Sequence, residues 1–206
     1  MAAPAIKLAP NKFYHIYNRG INGCALFNEA ANYAYFLSLY KKHIHQVAQT
    51  YAWVLMRNHF HLLVRIKPFQ NPDGFQNLRG LSVEKRINQQ FSNLFNAYTK
   101  AFNKRYNRTG SLFEHTFRRK QINHVAYLKR LVIYIHMNPV HHYICNHPIE
   151  YPWSSYETCL SSKNTALMRR VVIDWFISQE NFKQEHQTYI DKWQKQISSI
   201  SNPEGF

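Results

Sequence analysis

Two histidines separated by one residue, His59-Phe60-His61, lie within Trp53-Val54-Leu55-Met56-Arg57-Asn58-His59-Phe60-His61-Leu62-Leu63-Val64. Two apolar runs flank a polar break at Arg57-Asn58, the pattern of a buried β-hairpin or two adjoining strands. Side chains alternate along a strand, so His59 and His61 share one face and Phe60 takes the other. Two imidazoles about 7 Å apart on one rigid face can hold one metal ion. The same residues also suit a pair of ordinary histidines near a strand edge. Farther along, Tyr134-Ile135-His136-Met137-Asn138 falls in a helical pattern, with Tyr134 and Asn138 one turn apart on one face. A phenol can attack phosphorus, and an amide oxygen beside it can complete a metal's coordination. Two imidazoles and one oxygen, with positions open for phosphate and water, suit Mg²⁺ or Mn²⁺ used as a Lewis acid. The structural alternative is a buried tyrosine and an asparagine that closes its helix before Pro139.

Other residues compete for these roles. Tyr98 lies on an apolar stripe and reads as core, and Tyr106 lies near the end of the same helix. Tyr127 precedes Tyr134 by two helical turns, on nearly the same face, and is the serious rival. Only Tyr134 has an amide at the fourth position after it, so Tyr134 is the chosen nucleophile. His136, His141, His142 and His147 straddle a predicted helix end without a partnering cysteine pair. They read as a solvated basic or DNA-facing cluster rather than a zinc site.

The elements that must position these side chains follow from period and punctuation. Lys12 to Asn18 alternates and reads as a strand, followed by turn residues Arg19 to Gly23. Tyr33, Phe36, Leu37, Tyr40, Ile44 and Val47 recur at helical spacing, with Asn28 or Asn32 as caps. The strand pair around Arg57-Asn58 ends near Ile66, and Pro68 to Gly80 reads as a loop. Ser82 opens a second helix along Ile87, Phe91, Leu94, Phe95, Tyr98 and Phe102, which Asn107 to Gly110 closes. A fourth strand is expected within Leu112 to Ile122, centred on Phe117 to Lys120. Asn123 can cap a third helix along Val125, Leu128, Leu131, Val132 and Ile135, which Pro139 should end at or before Asn138. The order is an α+β, ferredoxin-like split βαβ antiparallel sheet with helices on one side and a further helix alongside. Residues 1–147 form the expected catalytic domain. Residues 148–206 form a C-terminal helical extension, with helices near Ala166 to Ser178 and Asn181 to Ile197.

Bulk composition narrows the class of partner. The chain has 206 residues, 45% of them hydrophobic, enough for one sizeable core. Lys and Arg outnumber Asp and Glu by 26 to 11, a net charge of +15 that calls for a polyanion, most simply nucleic acid. Between Arg79 and Arg130 twelve cations face only Glu84 and Glu114, a local excess of 12 − 2 = +10. Arg19, Lys104, Arg105, Arg108, Arg118, Arg119 and Lys120 are the candidate phosphate contacts. Arg169, Arg170, Trp175 and Trp193 in the extension are a candidate hairpin-binding surface. Cys24, Cys145 and Cys159 form no metal or disulfide framework, and no apolar run has the length of a membrane span, so a soluble cytoplasmic protein is expected.

The motifs resemble the single-tyrosine HUH transposases, and in particular their REP-associated tyrosine transposase branch. The resemblance rests on Tyr14-His15-Ile16-Tyr17-Asn18-Arg19-Gly20, the Trp53 to Val64 stretch and Gly110-Ser111-Leu112-Phe113. Tyr134 to Val140 and Tyr151-Pro152-Trp153-Ser154-Ser155-Tyr156 continue it, so that it spans roughly residues 12–156. It implies a site-specific endonuclease and strand transferase acting on single-stranded or hairpin DNA, as a monomer or homodimer. In that reading Tyr134 forms a 5′-phosphotyrosyl link and frees a 3′-OH, while His59, His61 and Asn138 hold Mg²⁺ or Mn²⁺. No small-molecule substrate or membrane is implied. Where the family usually has proline before the turn asparagine, this chain has Arg57, which leaves the turn geometry open. A replication initiator of the same chemistry and a non-catalytic nucleic-acid-binding module are the alternatives. A relaxase fits less well, because its tyrosine typically precedes the histidine pair.

Overall fold

The computed structural model describes residues 6–68, 82–114 and 117–201, with no side-chain detail for 199–201. Arg79 and nearly all of the loop expected over Pro68 to Gly80 lie outside the described residues. Strand β1 (Phe13–Arg19), helix α1 (Ala30–Val47), β2 (Ala48–Met56), β3 (His59–Ile66), α2 (Val83–Arg105) and β4 (Arg118–Ile122) follow the expected order. The sheet runs β2-β3-β1-β4 with every neighbouring pair antiparallel. Each βαβ unit is therefore split by an intervening strand, β3 within the first and β1 within the second, as in a ferredoxin-like sheet.

Strand alternation sorts the side chains between two cores. Tyr14, Ile16, Phe60, Leu62 and Val64 point toward α1 and α2, where they pack with Phe36, Ile44, Phe91 and Leu94. The opposite phase, Val54, Met56, Leu63 and Ile122, packs beneath a third helix, α3 (Val125–His141), on Leu128, Leu131, Val132 and Ile135. A register shift between Thr50 and Ala52 brings Tyr51 and Ala52 into this second core together. The helices α1 and α2 thus share one side of the sheet, while α3 and the later helices cover the other. Both sheet faces are apolar enough to require a cover.

Local chemistry explains where the boundaries fall. Asn32 caps α1 from inside, its side-chain oxygen accepting from the Asn28 N–H at 2.9 Å and the Glu29 N–H at 3.3 Å. Ser82 is the N-cap of α2 and accepts from the Lys85 N–H. At α3 the N-cap is His124 rather than Asn123, whose side chain accepts from Gln121 instead. Helix α3 also passes through Pro139. Asn138, Pro139 and Val140 are all buried, and this tertiary packing overrides the local penalty. Hydrogen bonds from His142 N–H to the Asn138 carbonyl (3.0 Å) and from Ile144 N–H to the Pro139 carbonyl (2.9 Å) complete the end. The extra turn carries His141 and His142 toward the sheet.

After α3 the chain runs along the outer edge of β2. Leu55 N–H donates to the Trp153 carbonyl and Ser155 N–H to the Trp53 carbonyl, both at 2.9 Å, which occupies a sheet edge otherwise open to pairing. Helices α4 (Tyr156–Leu160), α5 (Arg169–Trp175) and α6 (Gln179–Ser201) complete the second core. The five residues of α4 are too few to show a helical period, and the sequence reading passes over them. Trp175 stacks on Tyr51, with centroids 5.3 Å apart, and Trp193 packs on His141 at 4.6 Å. Both tryptophans pack against the second core while staying partly exposed. No helix among the described residues is long and apolar enough to cross a membrane. Cys24, Cys145 and Cys159 are free thiols.

Candidate active site and nucleic-acid interface

The hairpin turn that presents the histidine pair is held by its main chain. The Arg57 carbonyl accepts from Leu26 N–H (2.8 Å) and Phe27 N–H (3.0 Å), and the Asn58 carbonyl accepts from Gly20 N–H (2.8 Å). Position 20 must be glycine, because a Cβ there would lie 2.0 Å from the Cys24 carbonyl oxygen. These anchors do not use the side chain of residue 57, so arginine in place of proline is compatible with the turn.

His59 and His61 leave β3 on the face opposite Phe60, with ring centroids 5.3 Å apart. Each has its Nδ1 engaged. His59 Nδ1 meets Asn58 Oδ1 at 2.8 Å, and His61 Nδ1 meets His15 Nε2 at 3.0 Å. With Nδ1 so engaged, Nε2 is the remaining nitrogen of each ring. Tyr17 lies opposite His61 in the β1–β3 register and Arg19 opposite His59. From across the sheet face, the Tyr134 ring reaches within 5.5 Å of His61 and 6.1 Å of His15, centroid to centroid. Asn138, one turn on, donates its side-chain N–H to the Tyr134 carbonyl at 2.8 Å. Its amide also hydrogen-bonds the His59 ring and the Tyr134 phenol. Tyr134, Asn138, His59 and His61 therefore meet at one place.

The electrostatics follow from burial. Desolvation, reinforced by His142, lowers the His59 pKa to about 4. Desolvation with the neighbouring His15 lowers that of His61 to about 2, and His15 itself is held at about 4. All three rings are neutral near pH 7 and present lone pairs. Burial raises the Tyr134 pKa, opposed by its hydrogen bond to Asn138, so the phenol carries its proton at rest.

Two clefts meet at this point, and Tyr17 and His61 line both. The first, about 420 Å³, is bordered by Arg19, Asn58, His59, Glu114, Arg118 and His142. Glu114 bridges its two arginines, 3.2 Å from Arg19 and 3.8 Å from Arg118. The second, about 510 Å³, lies on the Tyr134 side and is bordered by Lys120, Tyr127, Arg130 and Tyr189.

The expected cation patch is divided by strand phase. Arg118 and Lys120 face the clefts. Arg119 points to the opposite side of the sheet, its guanidinium over Phe117 at 4.8 Å and its Nη1 donating to Asn88 at 2.7 Å. Lys104, Arg105 and Arg108 lie at the C-terminal end of α2 and line neither cleft; Arg105 is paired with Glu29 at 2.6 Å. Tyr127 contacts Lys120 and Arg130 rather than the histidines. The histidines at 136–147 do not form one exposed cluster. His142 packs on His59 at 5.0 Å and His141 near Tyr134, while His136 is wholly buried between Ser155 and His186. His15, Tyr17, Asn58 and Glu114 were not chosen from sequence, and His142 entered only as a member of the solvated or DNA-facing cluster. The matching alternation of His15 and Tyr17 on β1 was the available signal, but only the sheet register joins it to His61.

No protein-family model matches the chain, and no curated protein matches it. Among solved structures, a REP-associated tyrosine transposase bound to a REP hairpin superposes with a TM-score of 0.59 at 13% identity, over 79% of this chain and 87% of that one. This chain has the fold of a REP-associated tyrosine transposase. Two structures of a bacterial tRNA(His) guanylyltransferase-like protein, with GTP and with ATP, match at a TM-score of 0.37 and 14% identity. They cover 63% of this chain and 62% and 57% of theirs, a superposition too low to bear on it. The REP-associated likeness spans most of both chains, in keeping with the resemblance read from the sequence motifs.

Among the described residues, no three or more His, Cys, Asp and Glu side chains are grouped to hold a metal. The candidate donor set is two imidazoles and one amide oxygen. It fits a hard divalent ion that keeps bound water. Both rings are neutral, both have Nδ1 fixed by a neighbour, and the Asn138 nitrogen donates to the Tyr134 carbonyl, which turns the amide oxygen toward the His59 ring.

Proposed function

We propose that this protein is a metal-dependent, site-specific single-stranded DNA endonuclease and strand transferase that acts on hairpin DNA with Tyr134 as nucleophile. The observation that carries the reading is the meeting of Tyr134 with His61, His59 and Asn138 beside an arginine-lined cleft that His59 and His61 border, on the fold of a REP-associated tyrosine transposase. Residues 1–147 are assigned to the catalytic domain and 148–206 to its helical extension. The protein is assigned to the cytoplasm, as monomer or homodimer.

Arg19 and Arg118 bind the phosphates flanking the scissile bond; the β1–β3 register sets Arg19 opposite His59, and the β1–β4 register sets Arg118 opposite Tyr17, the partner of His61. Tyr134 Oη attacks the phosphorus, forming the Oη–P bond as the P–O3′ bond breaks. The phenolic proton leaves Oη, and one proton is taken up at the departing O3′. The product is a 5′-phosphotyrosyl link and a free 3′-OH. In the reverse sense, a 3′-OH from another strand attacks the same phosphorus and Tyr134 departs, so the bond energy is conserved and no nucleoside triphosphate is required. His59, His61 and Asn138 would hold Mg²⁺ or Mn²⁺, which supplies Lewis-acid polarisation of the scissile phosphate. Asn138 also orients the nucleophile through its contact with the phenol.

The test is cleavage of single-stranded hairpins drawn from DNA flanking the gene, with Mg²⁺ or Mn²⁺. A covalent protein–DNA adduct is read on a denaturing gel. The adduct is expected with wild type and is expected to vanish with Tyr134→Phe and with chelator. An adduct that survives in Tyr134→Phe refutes the assignment of the nucleophile. Tight, salt-sensitive binding with no adduct on any hairpin would favour a non-catalytic binding module.

A further inference from the structure

Beyond Tyr134 and His61, the lining of the second cleft takes no part in the chemistry proposed above, yet it has a definite character. Four tyrosines, Tyr17, Tyr127, Tyr134 and Tyr189, share it with the exposed cations Lys120 and Arg130. The cations sit against a ring rather than an acid: the Lys120 ammonium lies 5.0 Å and the Arg130 guanidinium 5.8 Å from the Tyr127 centroid. Neither is in a salt bridge among the described residues. This contrasts with the first cleft, whose arginines share Glu114. Phosphates are attracted by free cations, and unstacked bases by partly exposed aromatic faces. The combination of the two suits a single-stranded nucleotide. Tyr189 comes from α6, so the extension contributes one wall.

From this lining we infer that the cleft is a binding subsite for an unpaired DNA nucleotide next to the scissile phosphate, its base stacked on Tyr127 or Tyr189 and its phosphate on Lys120 and Arg130. The inference rests on the DNA-processing reading above and extends it. The position relative to the chemistry follows from shared walls. Tyr134 lines this cleft and touches His61, which lines both. A strand that crosses the Tyr17–His61 boundary places one nucleotide in each cleft, with Tyr134 at the junction. Tyr127, the rival nucleophile in sequence, becomes a stacking platform.

The experiment compares two fluorescent strands of equal length, an oligothymidylate of about twelve nucleotides and an abasic strand with the same phosphates, by anisotropy. Wild type is expected to bind the thymidylate about tenfold more tightly than the abasic strand, the order expected of one stacked base. Joint Tyr127→Leu and Tyr189→Leu should reduce that ratio below about threefold and leave abasic binding in place. Tyr127→Phe with Tyr189→Phe should retain the ratio, because the ring and not the hydroxyl is required. Joint Lys120→Ala and Arg130→Ala should weaken both strands alike and flatten the slope of log affinity against log salt by about 1.4. A wild-type ratio near one, or a ratio that survives in the leucine double variant, overturns the inference. Tighter binding of oligouridylate than of oligothymidylate overturns the assignment to DNA. Thermal melts establish that each variant is folded. Adduct formation by Tyr134 on hairpins is scored separately on the same proteins, so loss of base-dependent binding and loss of strand cleavage are distinct results.

Discussion

The buried histidine relay behind α3 predicts a specific acid sensitivity. His186 donates Nδ1–H to the Phe182 carbonyl at 2.8 Å, which leaves its Nε2 to accept from His136 Nδ1–H at 3.1 Å. His136 Nε2 then accepts from the Ser155 hydroxyl at 2.8 Å, and Ser155 Oγ accepts from the Trp53 N–H at 2.9 Å. Every donor has an acceptor only while both rings are neutral. A proton added to His186 would set one N–H against another inside an apolar enclosure of Tyr156, Phe176 and Phe182. Burial accordingly lowers the His186 pKa to about 4 and pushes that of His136 well below its ordinary value. A histidine with a depressed folded-state pKa leaves the unfolded chain binding more protons between the two values, so stability falls as pH drops through that window. With an unfolded value near 6.5, His186 alone removes about 2 kcal/mol between pH 7 and pH 5, and about 3 kcal/mol by pH 4. Urea denaturation at several pH values, wild type against His186→Gln, reads this directly. Glutamine can still accept from His136 but does not titrate. The variant is expected to begin about 1–3 kcal/mol less stable at pH 7 and then to lose about 2 kcal/mol less than wild type on acidification to pH 5. Parallel losses in the two proteins would refute the neutral relay.

Other perturbations separate the roles of neighbouring charges. Glu114→Gln frees Arg19 and Arg118 in the first cleft, and a unit charge about 7 Å from phosphate in high dielectric is worth about 0.6 kcal/mol. Single-strand affinity should therefore rise about threefold, with a steeper salt dependence measured by anisotropy; an unchanged or weaker affinity would refute the arginine clamp. Arg118→Ala should weaken DNA binding, whereas Arg119→Ala should leave it in place and lower thermal stability, because Arg119 packs on Phe117 and bonds Asn88 on the far side of the sheet. Gly20→Ala should cost more than about 2 kcal/mol in chemical denaturation, since its Cβ overlaps the Cys24 carbonyl and must displace backbone beside the histidine turn. A melt within about 0.5 kcal/mol of wild type would show that this loop relaxes without strain.

The sequence by itself determined the elements and the pairing of chemistry within each one. Alternation placed His59 and His61 on one face of a strand, and helical spacing placed Tyr134 beside Asn138, because strand and helix periods are local properties of the chain. The order of periods was enough for a split βαβ sheet. Charge pointed to a polyanion, since net charge needs no geometry. What the sequence did not determine was which separate elements meet. His15 reaches His61 only through the β1–β3 register, and Glu114 joins Arg19 to Arg118 only where β1 comes to lie beside β4. The phase of β4 decided that Arg118 and Lys120 face the clefts while Arg119 faces α2. Burial of Asn138, Pro139 and Val140 decided that α3 passes through its proline, which a local rule forbids and packing energy permits. Likewise His136 looked exposed by its neighbours in sequence and is enclosed by α6, an element fifty residues away in the chain. Period and charge are written residue by residue. Register, enclosure and the meeting of distant side chains arise only when the sheet closes and the two cores form.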